Sequence, residues 1–141
     1  MPEIVNRQRK FKVNLTALQN FAQKAVKSVT KAENKNFTVA FVSDRKMREL
    51  NKTFRGKNRT TDVLSFPFAA EEFEADANDL GDIVISLEQA AKQAAGNNLD
   101  FETEIKQLIL HGVLHLCGYD HETDKGEMNA LELQLREKLR I

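Results

Sequence analysis

The feature that most constrains this chain is a cluster of histidines, because all three lie within eleven residues, HGVLHLCGYDH at 111–121. His111 and His115 are four residues apart, so on a helix their side chains differ by only about 40° in direction and face the same way. His121 follows Gly118, a residue type that ends helices and turns the chain back. Three neutral imidazoles leave one tetrahedral position open, as in a catalytic zinc site. The segment predicts one metal ion held by His111, His115 and His121.

Other readings of the same segment are weaker. A single histidine in an apolar helix is usually a hydrogen-bonded core residue. Three histidines at this spacing are harder to explain as core residues. Cys117 lies about 200° around the helix from His115, so we expect it to pack as a small hydrophobe rather than bind metal. The spacing matches the metzincin protease pattern H-E-x-x-H-x-x-G-x-x-H except at one position. Gly112 replaces the glutamate that serves those enzymes as general base, which disfavours a zinc protease.

The length and composition indicate one globular domain over residues 1–141. A chain of 141 residues with 41% hydrophobic and 30% charged residues can bury a core of its own. Its single cysteine is typical of a reducing compartment. The N-terminal residues lack a secretory signal, and no apolar run is long enough for a membrane span, so we expect a cytoplasmic protein without membrane contact.

The net charge of zero hides an asymmetry along the chain. Residues 1–60 hold 15 Lys and Arg against 4 Asp and Glu, whereas residues 61–141 hold 6 against 17. Such asymmetry is a hint of nucleic-acid or membrane contact. The alternative is that folding interleaves the two halves, so that their charges neutralise each other.

Hydrophobic periodicity predicts about four strands and five helices. The predicted strands lie within 3–13, 36–43, 61–68 and 80–86. The predicted helices cover 14–29, a short segment from Ser43 to Gly56, 87–96, 100–117 and a C-terminal stretch from Met128. This alternation indicates an α/β or α+β domain with a mixed sheet, in which the histidine-bearing helix is central. An acidic loop, with Glu71, Glu72, Glu74, Asp76 and Asp79, is expected between the last two strands. The strand order does not follow from these patterns.

Three separate motifs resemble those of the YbeY family of bacterial metallo-endoribonucleases. HGVLHLCGYDH at 111–121 fits the family signature H-G-x-L-H-L-x-G-Y-D-H. LNKTFRGKNRTTDVLSFPF at 50–68 and LGDIVIS at 80–86 resemble the family's other two hallmarks, in the same order. Phe54, Asn58 and Thr60 depart from the residues common there, which are Tyr, Asp and Pro.

The resemblance implies a zinc ion on the three histidines and a functional arginine at Arg55. It also implies action on single-stranded RNA in small-subunit rRNA maturation and ribosome quality control, with the small ribosomal subunit or its assembly factors as partners. The family's fold is a single α/β domain with a central helix that bears the first two ligands.

The residues themselves support phosphodiester chemistry but leave roles open. Arg55 lies in a basic stretch with Lys57 and Arg59, which we predict to bind substrate, and a guanidinium can contact two phosphoryl oxygens at once. A solvated helix end would explain the same stretch. Asp120 is a candidate for orienting a ligand imidazole or for accepting a proton, and Asp62 is a second candidate base. The nucleophile can be water or the RNA 2′-hydroxyl. The rival functions are a ribosome-biogenesis factor that binds RNA without turnover and a metallohydrolase of another substrate class.

Overall fold

A four-stranded mixed sheet organises the protein. The computed structural model describes residues 2–68, 78–120 and 124–141. The strands are β1 (Glu3–Asn6), β2 (Asn36–Val42), β3 (Val63–Pro67) and β4 (Asp79–Ser86). The helices are α1 (Leu15–Ser28), α2 (Asp44–Arg55), α3 (Leu87–Gly96), α4 (Phe101–Leu116) and α5 (Glu127–Leu139), with a short 3-10 helix at Thr30–Ala32. The expected α/β fold with about four strands and five helices is confirmed.

The sheet order is β1-β2-β4-β3. β1, β2 and β4 are parallel, and β3 pairs antiparallel with β4 at the opposite edge from β1. The pairing of β4 with β2 brings segments that are far apart in sequence side by side, and β3 covers the other edge of β4. Asp82 of β4, for instance, pairs with Thr38 on one side and with Phe66 on the other.

The two faces of the sheet are covered unequally. Ile83 and Ile85 of β4 belong to a large core that includes residues of α1 and α4, whereas Val84 packs with Met47 of α2 in a smaller cluster. This alternation follows from the two-residue period of a strand. Helix α4 is the central helix, since it contacts α1, α3 and α5 as well as β3 and β4.

Most predicted boundaries agree with the structure because side-chain caps mark them. The side chains of Asn14, Ser43 and Asp100 accept backbone N–H groups at the starts of α1, α2 and α4. The range 3–13 predicted for the first strand is too long, however. The observed strand β1 ends at Asn6. Beyond it, the Gln8 side chain hydrogen-bonds both the N–H and the carbonyl oxygen of Phe11, which turns the chain.

Two sequence predictions fall partly beyond the described ranges. The acidic loop falls in residues 69–77 except for Asp79, so nearly all of it lies outside the described residues. His121 falls in residues 121–123 and also lies outside them. Among the helices that are described, none combines the length and the apolar character needed to cross a lipid bilayer.

Candidate metal centre and adjoining cleft

His111 and His115 lie on one face of α4, in its last two turns. Their Nε2 atoms are 3.0 Å apart, and their ring centroids are 4.6 Å apart with the ring planes at 75°. Each ring is partly exposed, whereas the neighbouring Val113 and Leu114 are fully buried. The helical spacing therefore produces the convergence of two imidazole nitrogens that the sequence predicts.

The turn after α4 forms as expected. Gly118 adopts φ +94°, in the left-handed region, and the N–H of Tyr119 returns to the carbonyl oxygen of Leu114 at 3.1 Å. This closes the C-terminus of the helix and reverses the chain. Cys117 packs against the large core, as predicted, and burial raises the pKa of its thiol.

A carboxylate on α5 orients His111. Nδ1 of His111 donates to Oε1 of Glu132 at 2.6 Å, and Nη2 of Arg136 donates to Oε2 of the same carboxylate at 2.5 Å. Burial alone would raise the pKa of Glu132, but the hydrogen bonds from His111 and Arg136 and the positive charge of Arg136 outweigh it and lower that pKa. With its proton held on Nδ1, His111 directs the lone pair of Nε2 into the site.

This donor set fits a zinc ion. A carboxylate or carbonyl partner on the remote ring nitrogen is the usual companion of a metal-bound histidine. Tetrahedral zinc with Zn–N bonds of about 2.0–2.1 Å places two ligand nitrogens about 3.3 Å apart. The observed 3.0 Å separation of the two Nε2 atoms is close to that value. Within the described ranges, no three His, Cys, Asp or Glu side chains form a complete metal site, and the third predicted ligand, His121, is outside them.

A cleft of about 580 Å³ adjoins the two histidines and contains the predicted arginine. Arg55, the last residue of α2, lines it together with His111, His115, Tyr119 and Asp120. Asp120 thus lines the same cleft as the two histidines, and its role in orienting a ligand or accepting a proton stays a prediction. Lys57 and Arg59 are exposed in the loop after α2 and do not line this cleft, so their substrate-binding role stays a prediction.

The loop after α2 is held by Asp44. This carboxylate accepts hydrogen bonds from Ser86 Oγ at 2.6 Å, from Gln89 Nε2 at 2.9 Å and from Thr60 Oγ1 at 3.0 Å. Burial would raise the pKa of Asp44, but these three hydrogen bonds lower it. Asp44 thus joins the start of α2, the loop, the end of β4 and the start of α3.

Each of the three residues that depart from the family hallmark contacts another side chain in the structure. Thr60 donates to Asp44, and Asn58 accepts from Nε of Arg48 at 3.1 Å. Phe54, which is exposed, contacts Phe66 of β3 edge to face with ring centroids 5.2 Å apart. The loop that follows Arg55 is therefore anchored by contacts of this chain's own.

Asp62 lines the cleft, and both of its carboxylate oxygens accept hydrogen bonds from neighbouring groups. Its Oδ1 accepts from the N–H of Val63 at 2.8 Å, and its Oδ2 accepts from Nε2 of Gln93 at 3.1 Å. These bonds favour its role in the turn that begins β3. Its alternative role as a base stays open, as does that of Asp120.

Glu132, its partner Arg136 and Lys31 lie near the site and were not predicted from the sequence. Glu132 could have been noticed as an acidic residue on the inward stripe of α5, since it lies between the buried Met128 and Leu135 at helical spacing. Lys31 had no local signal. Its Nζ lies 4.4 Å from the ring centroid of Tyr119, so it adds a positive charge next to the cleft.

Comparisons with known proteins agree with the sequence motifs. The sequence matches the family described as endoribonuclease YbeY over residues 3–140. The endoribonuclease YbeY of Clostridioides difficile (strain 630) is 43% identical over 114 residues, covering 77% of this chain and 74% of that protein. The endoribonuclease YbeY of Thermoanaerobacter sp. (strain X514) is 41% identical over 150 aligned positions, covering 94% of each. Among solved structures, the solution structure of a Thermotoga maritima protein superposes with a TM-score of 0.67 at 31% identity, covering 99% of this chain and 89% of that one.

Proposed function

The chain belongs to the YbeY endoribonuclease family, and on that premise we propose that it is a zinc-dependent endoribonuclease that cuts single-stranded RNA. The observation that carries the proposal is the convergence of His111 Nε2 and His115 Nε2 in a cleft that Arg55 also lines. We further propose that it acts in the cytoplasm on small-subunit rRNA, in maturation and ribosome quality control, with the small subunit or its assembly factors as partners.

His111, His115 and His121 are the proposed ligands of one zinc ion. When bound, zinc supplies a Lewis acid that polarises a phosphoryl oxygen and lowers the pKa of a coordinated water. Glu132 keeps the proton of His111 on Nδ1, which leaves Nε2 as the metal-facing donor. Arg136 holds Glu132 in that position from its other oxygen.

Arg55 is the residue that meets the phosphate in this proposal. Attack on a phosphodiester increases the negative charge on the non-bridging oxygens, and a guanidinium can donate to two of them in one plane. Arg55 is exposed at the end of α2, and the same cleft holds the histidines. A proton acceptor is then needed for the attacking hydroxyl, and Asp62 and Asp120, which both line the cleft, are the two candidates for it.

The structure supplies a reason against the peptidase alternative. In the metzincin pattern the general base follows the first histidine directly, and here that position is Gly112. A Cβ at Gly112 would lie 2.8 Å from Cγ2 of Ile83, so even an alanine meets the sheet there. A glutamate base cannot occupy this position without displacing the Ile83 side chain or moving α4 away from β4.

Cleavage of a labelled single-stranded oligoribonucleotide by zinc-loaded protein tests the proposal. We expect the wild type to cleave and to contain about one zinc per chain. His115→Ala should lose both zinc and cleavage, while Arg55→Ala should keep its zinc and lose about 10²-fold or more in kcat. Arg45→Ala is the matched control, because Arg45 is an exposed arginine on the same helix.

Identical purification of every variant guards against contaminating nuclease. Absence of RNA cleavage by the wild type, or wild-type cleavage by His115→Ala, would overturn the proposal. RNA binding without turnover would instead support the binding-factor alternative. An oligonucleotide with one 2′-deoxy residue at the cleavage site separates the nucleophiles, since it stays cleavable only when water attacks.

A further inference from the structure

A second cavity of about 700 Å³ adjoins the cleft, and the proposed mechanism assigns no occupant to it. Asp62, Val63 and His111 line both spaces, so the two meet beside the histidine pair. The remaining walls come from α3, the segment that joins it to α4, α4 itself and α5. The volume lies within the range of roughly 300–1,000 Å³ that is usual for small-ligand pockets. We call this cavity the amide pocket.

The amide pocket carries an unusual set of neutral polar side chains: Gln93, Asn97, Gln107 and Asn129. The first three donate through their nitrogen atoms to Asp62 Oδ2 at 3.1 Å, Glu104 Oε1 at 2.8 Å and the backbone oxygen of Ile141 at 2.8 Å, respectively. Because these three partners can only accept, the orientation of each amide is determined, and its carbonyl oxygen faces away from that partner. Each of these amides thus keeps a carbonyl oxygen as an acceptor and a second N–H as a donor for another partner.

The charges of the amide pocket exclude a phosphate. Asp62, Glu104 and Glu132 contribute carboxylates to its lining. Among the described lining residues, Arg136 is the only arginine or lysine, and its Nη2 is paired with Glu132. An anionic group would therefore be repelled. Three apolar side chains complete the walls: Leu99, Leu108 and Met128. A neutral, flat molecule with several hydrogen-bonding edges suits this combination.

We propose that the amide pocket binds the unstacked base of the nucleotide next to the scissile phosphodiester. This inference rests on the proposed ribonuclease function and adds a base-recognition site to it. Single-stranded RNA is read through splayed bases that hydrogen-bond along their exposed edges, and glutamine and asparagine amides offer a donor and an acceptor side by side. The phosphate remains in the cleft beside Arg55, while its neighbouring base enters the pocket past Asp62 and Val63.

Asn129→Trp is the variant that blocks the amide pocket. Asn129 is an exposed residue in the first turn of α5, so a larger side chain there does not disturb the core. Gln134→Trp is the matched control, because Gln134 is also an exposed amide on α5 and does not line the pocket. Both proteins should bind zinc as the wild type does, which shows that the metal centre is intact.

Steady-state cleavage of a short oligoribonucleotide with a mapped cleavage site provides the first readout. We expect Asn129→Trp to raise KM about tenfold or more, with a smaller effect on kcat, and Gln134→Trp to match the wild type. Replacing one nucleotide beside the cleavage site by an abasic residue should raise the wild-type KM about as much and have no further effect on Asn129→Trp. Equal KM values for the two tryptophan variants would overturn the inference. So would an abasic residue that raises the KM of Asn129→Trp by the same factor as it raises the KM of the wild type.

Titration with the four nucleoside 5′-monophosphates provides a readout that does not depend on cleavage. Side-chain amide signals of Gln93, Asn97 and Gln107 should shift in the NMR spectrum of the wild type and not in that of Asn129→Trp. Cleavage of RNA without any such shift would overturn the base pocket alone. Shifts without RNA cleavage would overturn the ribonuclease proposal and keep the pocket.

Discussion

At the scale of single residues, the best-defined feature of the site is the chain of contacts His111–Glu132–Arg136. Glu132 is almost fully buried, and both of its oxygens are within 2.6 Å of a nitrogen partner. Burying an ionised carboxylate lowers the stability of the folded protein unless the carboxylate is paired in this way. The pairing therefore indicates that Glu132 orients His111 as well as packing α5 against α4.

Glu132→Gln is expected to weaken zinc binding about 10- to 100-fold. The amide keeps the shape of the side chain but replaces the carboxylate that receives the proton on Nδ1 of His111. Competition with a chromophoric chelator measures the affinity. Glu137→Gln, at an exposed position on the same helix, should leave it unchanged, and an unaltered affinity for Glu132→Gln would refute the orienting role.

At the scale of elements, the close packing of α4 on β4 is what positions the histidines over the sheet. Gly112 follows His111 and is buried against Ile83, so this histidine lies one residue from a close contact between the helix and the sheet. In the sequence, Gly112 is recognisable only as a position that lacks a catalytic glutamate. The structure adds the steric reason, because a Cβ would lie within 3.0 Å of three side-chain atoms of Ile83.

Gly112→Ala should destabilise the protein by about 1–3 kcal/mol, although alanine is the better helix former. Urea unfolding followed by circular dichroism measures this free energy. Gly96→Ala, in α3, is the control, since nothing lies within 4 Å of a Cβ there, and it should be neutral or stabilising. In an Ile83→Ala background the cost of Gly112→Ala should shrink. Equal effects of the two glycine substitutions would contradict the steric argument.

At the scale of the whole molecule, the basic and acidic halves of the sequence are brought together. β2 from the first half pairs with β4 from the second, and α1 packs on α4. Lys10 pairs with Glu88, and Lys31 lies over Tyr119. Folding therefore interleaves the two halves, as the alternative interpretation of the charge asymmetry held, while Arg55 stays exposed in the cleft.

Asp44 makes the stability of this assembly depend on pH. Its pKa in the folded protein lies below the ordinary value of 3.8. The ionised carboxylate therefore contributes its full share of the free energy of unfolding above pH 3.8. That share is lost as the pH falls through the lower pKa of the folded state. Asp44→Asn should lower the free energy of unfolding at pH 7, and its difference from the wild type should shrink in acid. Urea unfolding between pH 7 and pH 3 measures this. Glu33→Gln, at an exposed position, should show no such convergence, and a pH-independent cost of Asp44→Asn would contradict the assignment.

Local patterns determined the elements of this protein and the pairing of His111 with His115. Helix caps, a two-residue strand period and an i, i+4 spacing each depend on a few neighbouring residues, so they can be read directly from the sequence. The same holds for the chain reversal at Gly118.

Only the tertiary structure decided the strand order, the approach of Arg55 to the histidines, the partnership of Glu132 with His111 and the existence of the amide pocket. Each of these joins residues that are distant in sequence, such as Glu132 and His111, which are 21 positions apart. No local periodicity encodes such contacts, because they arise from the way that buried faces of several elements pack at once. The chain's own residues thus predict which groups are available for chemistry, and the packing of α2, α4 and α5 decides which of them meet.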